Sequence, residues 1–260
     1  MKSPIKDGLN FKCLGAVKDL MPQKSIISSF LFYSGVIELN LAANNRFIVA
    51  HTNRPLVYEF WQHACGDSSH VAAQSKFFFD NLLQDDSLFS TEKMFTTLQE
   101  TWFKRKDPDA RAAYFFLLNR CSERGLVSSG KLDKKYFNPV SLSHMINFKP
   151  KNFFIKFDSQ ENFLDALPEE DGSKYLLFPV GECSRNLFEV AKNRGAETTP
   201  IHHHKLSETL KQQPKKWVVL YKNHKRVFDL YKGYHIIMVD QYGRKTNKKD
   251  KCEDIVIANF

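Results

Sequence analysis

The chain lacks most of the features that would place a sequence at sight. No apolar run approaches the ~20 residues needed to span a bilayer. The opening "MKSPIKDGLNFKCLG" has no basic-then-apolar pattern of a secretory signal. A soluble, cytoplasmic protein with no membrane partner is therefore expected. Cysteine is sparse and scattered: Cys13, Cys65, Cys121, Cys183 and Cys252 form an odd set with no CxxC pair. That spacing argues against a disulfide framework and against a Cys-based zinc site, leaving buried free thiols as the expectation. Internal repeats and low-complexity tracts are also missing.

What is present argues for a packed core. Of 260 residues, 42% are hydrophobic and 23 are Phe, well outside the disordered range. The length suits one large α/β domain, or a core carrying an insertion. Lys and Arg number 38 against 29 Asp and Glu, for a net charge of +9. The excess lies mostly after residue 148, in "KPKNFFIKF", "KQQPKKW", "YKNHKR" and "GRKTNKKDKC". Such a balance fits a polyanionic partner or a solvated basic face equally well.

Along the chain, "IISSFLF" (26–32) and "FIVA" (47–50) read as strands, each followed by a polar turn and a helical stretch. Pro55 stands where a helix takes a first-turn proline. Strand, turn and helix in alternation predict a parallel sheet with crossover helices. From about Ser68 to Arg120 only helical spacings appear, with Ser90 and Asp107 as caps, and residues 121–149 are turn-rich. The alternation then resumes: "NFFIKF" a strand, "SQENFLDAL" a helix, "KYLLFPV" a strand, "SRNLFEVAKNRG" and "HKLSETLKQ" helices, "KWVVLY" a strand. "HIIMVDQY" and "EDIVIANF" are expected to pair as a terminal hairpin across a Lys-rich turn. The resulting division is a core of residues 1–67 and 150–260 with a helical and loop insertion at 68–149.

The stretch "YLLFPVGEC" (175–183) stands out for what its end does not carry. A buried strand running into a turn is where α/β proteins keep chemical groups, yet Phe178, Pro179, Val180 and Gly181 offer none. His202, His203 and His204 invite a metal reading. Three consecutive residues cannot all face one ion on a regular element, so no metal site is expected.

Three blocks resemble one family, the DNA adenine-N6 methyltransferases of the Dam type. "FLFYSGVIELNL" (30–41) is similar to the family's "EPFxGxGxVFLNL". "AYFFLLNRCSERGL" (113–126), followed by Tyr136-Phe137-Asn138-Pro139, is similar to "A…FLYLNR…FNGL" and "FNxPFG". The end "LYKGYHIIMVDQYGRKTNKKDKCEDIVIANF" resembles the family's closing strand, Arg-led turn and "ELLITNY". The resemblance implies a Rossmann-like class I methyltransferase core with an inserted helical target-recognition module. It also implies S-adenosylmethionine as the ancestral cofactor and DNA as the partner.

Taken residue by residue, the resemblance implies that the chemistry is gone. Gly35 matches the second glycine of the cofactor loop, but Tyr33 stands at the first, where a phenol is expected to fill part of the pocket. His51 replaces the acid that accepts the ribose hydroxyls, with Asn53 kept two residues on. A neutral imidazole offers one acceptor instead of two, and packing is the alternative role for it. Phe178-Pro179-Val180-Gly181 occupies the place of Asp-Pro-Pro-Tyr, whose acid and aromatic hold a flipped-out adenine. Only Pro179 is retained. Losing such a positioned electrostatic partner costs enzymes roughly 3 kcal/mol or more.

The same carry-over points to DNA contacts at Lys18, Asn119, Arg120, Arg124, Lys131, Lys134, Lys135, Tyr136 and Arg244. The expected function is a noncatalytic DNA-binding protein on a methyltransferase-like fold, with no cofactor and with a protein partner subunit possible. Two alternatives stay open. One is a divergent active enzyme using S-adenosylmethionine, with Glu182 or Asp240 as a displaced acid. The other is a protein-interaction scaffold that binds no nucleic acid.

Overall fold

The computed structural model describes residues 1–82, 106–122, 125, 127, 133–159, 162–167, 172–183 and 201–260. The predicted Ser90 cap, the predicted helix at 184–195, Arg124 and Lys131 lie outside them. Seven strands form one sheet: β1 (Ile26–Ser29), β2 (Phe47–Thr52), β3 (Phe153–Phe157), β4 (Tyr175–Gly181), β5 (Lys216–Lys222), β6 (His235–Asp240) and β7 (Cys252–Ala258). Their order is β3-β2-β1-β4-β5-β7-β6. Pairings from β3 to β5 are parallel, and β7 runs antiparallel to both of its neighbours. The fold is Rossmann-like α/β, and the predicted terminal hairpin is β6–β7.

Helices flank this sheet. They are α1 (Leu14–Leu20), α2 (Val36–Ala42), α3 (Pro55–Gly66), α4 (Ser68–Leu82), α5 (Pro108–Cys121), α6 (Pro139–Ile146), α7 (His203–Lys211) and α8 (Lys225–Leu230). Local chemistry explains several starts. Pro55 opens α3, and the Asp107 carboxylate accepts from Asp109 N at the head of α5, as its sequence predicts. Asn138 and Ser141 form a reciprocal cap on α6. The helix predicted at "SQENFLDAL" is instead a single 3-10 turn, Phe163–Ala166, capped by the Asn162 side chain.

The central strands are buried on both faces, and their side chains alternate between two apolar clusters. Ile27, Ile48, Leu177, Val218 and Leu220 join the cluster under α1 to α5, which also takes in Phe115, Phe116 and Phe137. Phe30, Leu176, Phe178, Trp217, Val219 and Tyr221 join the other, under α7 and α8. Helices α4 to α6 thus share a core with the strands. Four cysteines are buried and free, as expected, but Cys65 near the end of α3 is exposed. Among the described residues no helix is long and apolar enough to cross a membrane.

Candidate functional site

In a sheet of this order the connection reverses direction between β1 and β4. The crevice at their carboxyl ends is where such folds hold ligands. Here backbone hydrogen bonds stitch that crevice. The loop after β1 sends Phe30 N to Leu177 O at 2.9 Å and Phe32 N to His51 O at 3.2 Å. Leu31 between them takes φ +60, a left-handed conformation rare outside glycine. That reversal explains why β1 ends at Ser29 rather than at the expected Phe32.

The stitching aims Phe30 across the reversal point. Its ring stacks on His51 from β2, with centroids 4.5 Å apart, and on Phe178 from β4 at 5.4 Å. Interplanar angles of 21° and 14° make this a three-ring pile, with Phe163 tilted against Phe178 at 6.4 Å. Phe30, His51 and Phe178 are at most 3% exposed. Beyond their buried area, such ring pairs contribute about 0.5–1.5 kcal/mol each. Phe178 is therefore the cornerstone of a second core, not an empty catalytic position.

His51 is held by an acid that sequence reasoning missed. Its Nδ1 lies 3.0 and 3.1 Å from the two carboxylate oxygens of Asp158, just past β3, and both residues are buried. Parallel pairing of Thr52 with Phe157 brings position 158 alongside the end of β2, a register that no local sequence signal announces. The remaining cleft is lined by Leu31, Phe32, His51, Thr52, Asn53, Arg54, Asp158 and Phe163. Its cavity volume is about 20 Å³, room for about one water molecule.

Gly35 and Tyr33, which the sequence resemblance matches to a cofactor loop, contact other parts of the protein. Gly35 has φ +68, and an added Cβ would lie 3.2 Å from both Phe32 and Trp61, so protein side chains crowd it. Tyr33 does not line the cleft, contrary to the expectation. Its hydroxyl donates to Gly125 O at 2.8 Å and its ring leans on Phe115. Burial pushes that phenol up to about 12. The N-terminal segment closes over the same loop: Ser3 Oγ donates to Ser34 O, and Ser34 Oγ donates to Asp7, each at 2.5 Å. Nearby, Ser29 Oγ donates to Glu38 Oε1 at 2.7 Å. Burial raises the Glu38 carboxyl above the usual range, offset partly by that hydrogen bond.

At the end of β4, a register shift separates Pro179 from Gly181, and Gly181 has φ +85. The glycine therefore shapes a bulge, while Val180 is fully buried. Asp240 is engaged in its own turn, accepting from Tyr242 N and Arg244 N at 2.9 Å. Three strand spacings, roughly 14 Å, separate β6 from β4, so Asp240 is no replacement acid for position 178. Glu182 directly follows β4.

No family model matches this chain, and no curated protein matches it.

The residues carried over as DNA contacts divide into two kinds. Asn119 is fully buried, and its amide bridges the N-terminal segment and residue 125. Lys6 N donates to its Oδ1 at 2.7 Å, and its Nδ2 donates to Lys6 O and Gly125 O at 3.2 and 2.7 Å. An added Cβ at Gly125 would meet Lys6 O at 2.6 Å, which shows how closely these segments approach. Asn119 is thus a strut with no surface to offer DNA, which corrects the expectation. Arg120 is half-buried; burial lowers its pKa, and its Nε has no hydrogen-bond partner among the described residues. Lys18 is half-buried on α1, where its carbonyl accepts from Arg46.

Lys134 and Lys135 are exposed on a 3-10 turn ending at Tyr136. The Lys6 Nζ sits 3.8 Å over the Tyr136 ring, and Lys135 lies 5.0 Å from it while pairing with Asp133 at 2.7 Å. Lys6 was not foreseen, because nothing local links it to a turn more than a hundred residues away. Arg244 is exposed in the β6–β7 turn, far along the sheet. The three histidines part ways: His203 Nδ1 lies 3.0 Å from Tyr221 Oη, and His204 pairs with Glu208 at 3.2 Å. Among the described residues no three metal-ligating side chains come together.

Proposed function

We propose that this protein is a noncatalytic, cytoplasmic DNA-binding protein on an adenine-methyltransferase-like core, having lost S-adenosylmethionine binding and methyl transfer. The observation that carries the proposal is the His51–Phe30–Phe178 pile across the reversal point of the sheet. It fills the place a cofactor and a flipped base would need. The strand order, with β7 alone reversed between β5 and β6, supports the methyltransferase-like core that the sequence resemblance implies. In this reading α4 to α6 and the Lys134–Tyr136 turn are the remnant of an inserted recognition module. The net charge of +9 and the Lys6–Tyr136–Lys135 group supply phosphate contacts.

The test is fluorescence anisotropy of labelled DNA over a range of salt. Binding that weakens as salt rises, and a shallower salt slope in the Lys134→Ala/Lys135→Ala variant, are the expected results. Affinity indifferent to both salt and variant would overturn the proposal. The scaffold reading draws on one specific observation, the 61% exposed Phe154 on edge strand β3.

A further inference from the structure

The β6–β7 hairpin carries the most exposed large apolar side chain among the described residues. Tyr242 is 74% exposed, at the tip of a turn that is rigidly built. The Asp240 carboxylate accepts from both Tyr242 N and Arg244 N, Gly243 N donates to Asp240 O at 3.0 Å, and Asp240 N donates to Arg244 O at 2.9 Å. Gly243 has φ +82 and packs so closely that an added Cβ would lie 3.0 Å from Lys12 O. Lys245 pairs with Asp19 of α1 at 3.0 Å. The tip is therefore fastened to the body on two sides while its aromatic ring projects.

The chemistry around the ring is that of a base-stacking surface. The Arg244 guanidinium lies 5.9 Å from the Tyr242 centroid, and Tyr242 makes no ring–ring contact among the described residues. Residues 241–251 hold Arg244, Lys245, Lys248, Lys249 and Lys251 against a single acid, Asp250. Lys249 covers Phe228 at 4.8 Å, whereas Lys248 and Lys251 are exposed and make no ion pair among the described residues. A fixed, projecting ring flanked by cations suits successive bases of a single strand, whose π-faces are available and whose phosphates follow the lysines. In a duplex those faces are already stacked on one another.

We propose that the β6–β7 hairpin tip is a stacking platform for an unpaired nucleobase, with Tyr242 as the platform and Arg244, Lys248 and Lys251 as phosphate contacts. The proposal rests on the nucleic-acid binding inferred above and narrows it to single-stranded segments.

The experiment compares a labelled oligo-dT 20-mer with a 20-bp duplex, by anisotropy, for the wild type, Tyr242→Ala, Tyr242→Phe and Lys134→Ala/Lys135→Ala proteins. Tyr242→Ala should weaken oligo-dT binding about tenfold and leave duplex binding nearly unchanged, while Tyr242→Phe retains affinity. A Tyr242→Trp protein should also show its new, exposed indole quenched by oligo-dT, a signal that charge contacts alone do not give. If Tyr242→Ala binds oligo-dT like the wild type while the double lysine variant is weakened, the platform is refuted and DNA binding stands. Duplex preference with no indole quenching also refutes the platform. A wild type that binds neither probe overturns the DNA reading itself.

Discussion

Two regions at the carboxyl side of the same sheet have opposite characters. Between β1, β2 and β4 the strand ends are packed: three stacked rings, a buried His–Asp pair and a cavity of about 20 Å³. At the β6–β7 turn the chain is wet, cationic and projecting, with Tyr242 held out by its own hydrogen-bonded loop. In the first region the strand ends carry packing, and its aromatic residues are core. The second keeps exposed polar function on a rigid mount. A strand-end crevice filled by large side chains gains the close packing that an empty cleft would lack.

The largest effect that would break this contrast is on Phe178. Phe178→Ala removes the end of the ring pile and should cost about 3–5 kcal/mol, read by chemical denaturation; a loss under about 1 kcal/mol would mean the pile is not structural. Next comes the strut. Asn119→Leu strands the Lys6 amide and two carbonyls, and is expected to cost about 2–3 kcal/mol, again by denaturant midpoint. An unchanged midpoint would show the N-terminal segment to be dispensable.

Glu38 should give a smaller effect with a defined pH sign. Its carboxyl pKa is raised in the folded state by burial, so the folded protein holds that proton more tightly than the unfolded chain. Its stabilising contribution is complete below the ordinary glutamate range and is lost as pH rises through the folded value. Glu38→Gln, which keeps an acceptor for Ser29, should therefore raise the melting temperature at pH 8 and change it little at pH 4. The opposite ordering would mean Glu38 is ionised and favourably solvated. The smallest stability effect belongs to the hairpin: Tyr242→Ala should lie within about 0.5 kcal/mol of the wild type, in contrast to its loss of oligo-dT affinity.

Much of the fold was legible because strand and helix periods are strong local signals. Pro55, Asp107 and the β6–β7 pairing needed only neighbouring residues to be read. The blankness of Phe178 to Gly181 was legible too, but its cause was not. The Phe30–Phe178 stack depends on a left-handed turn at Leu31 that no residue type announces. The His51–Asp158 pair depends on the register of two strands far apart in sequence. Asn119 was read as a surface contact because its motif neighbours suggested one. Only its position on the buried side of α5, against Lys6, makes it a strut. The Tyr33 hydroxyl likewise found a partner at Gly125 that sequence separation concealed.

The most direct test of the account is a calorimetric titration of the folded protein with S-adenosylmethionine, beside S-adenosylhomocysteine. No heat of binding from either ligand is predicted, since the ring pile spans the reversal point of the sheet. Saturable binding at micromolar strength would contradict the account and make methyl transfer the next quantity to measure.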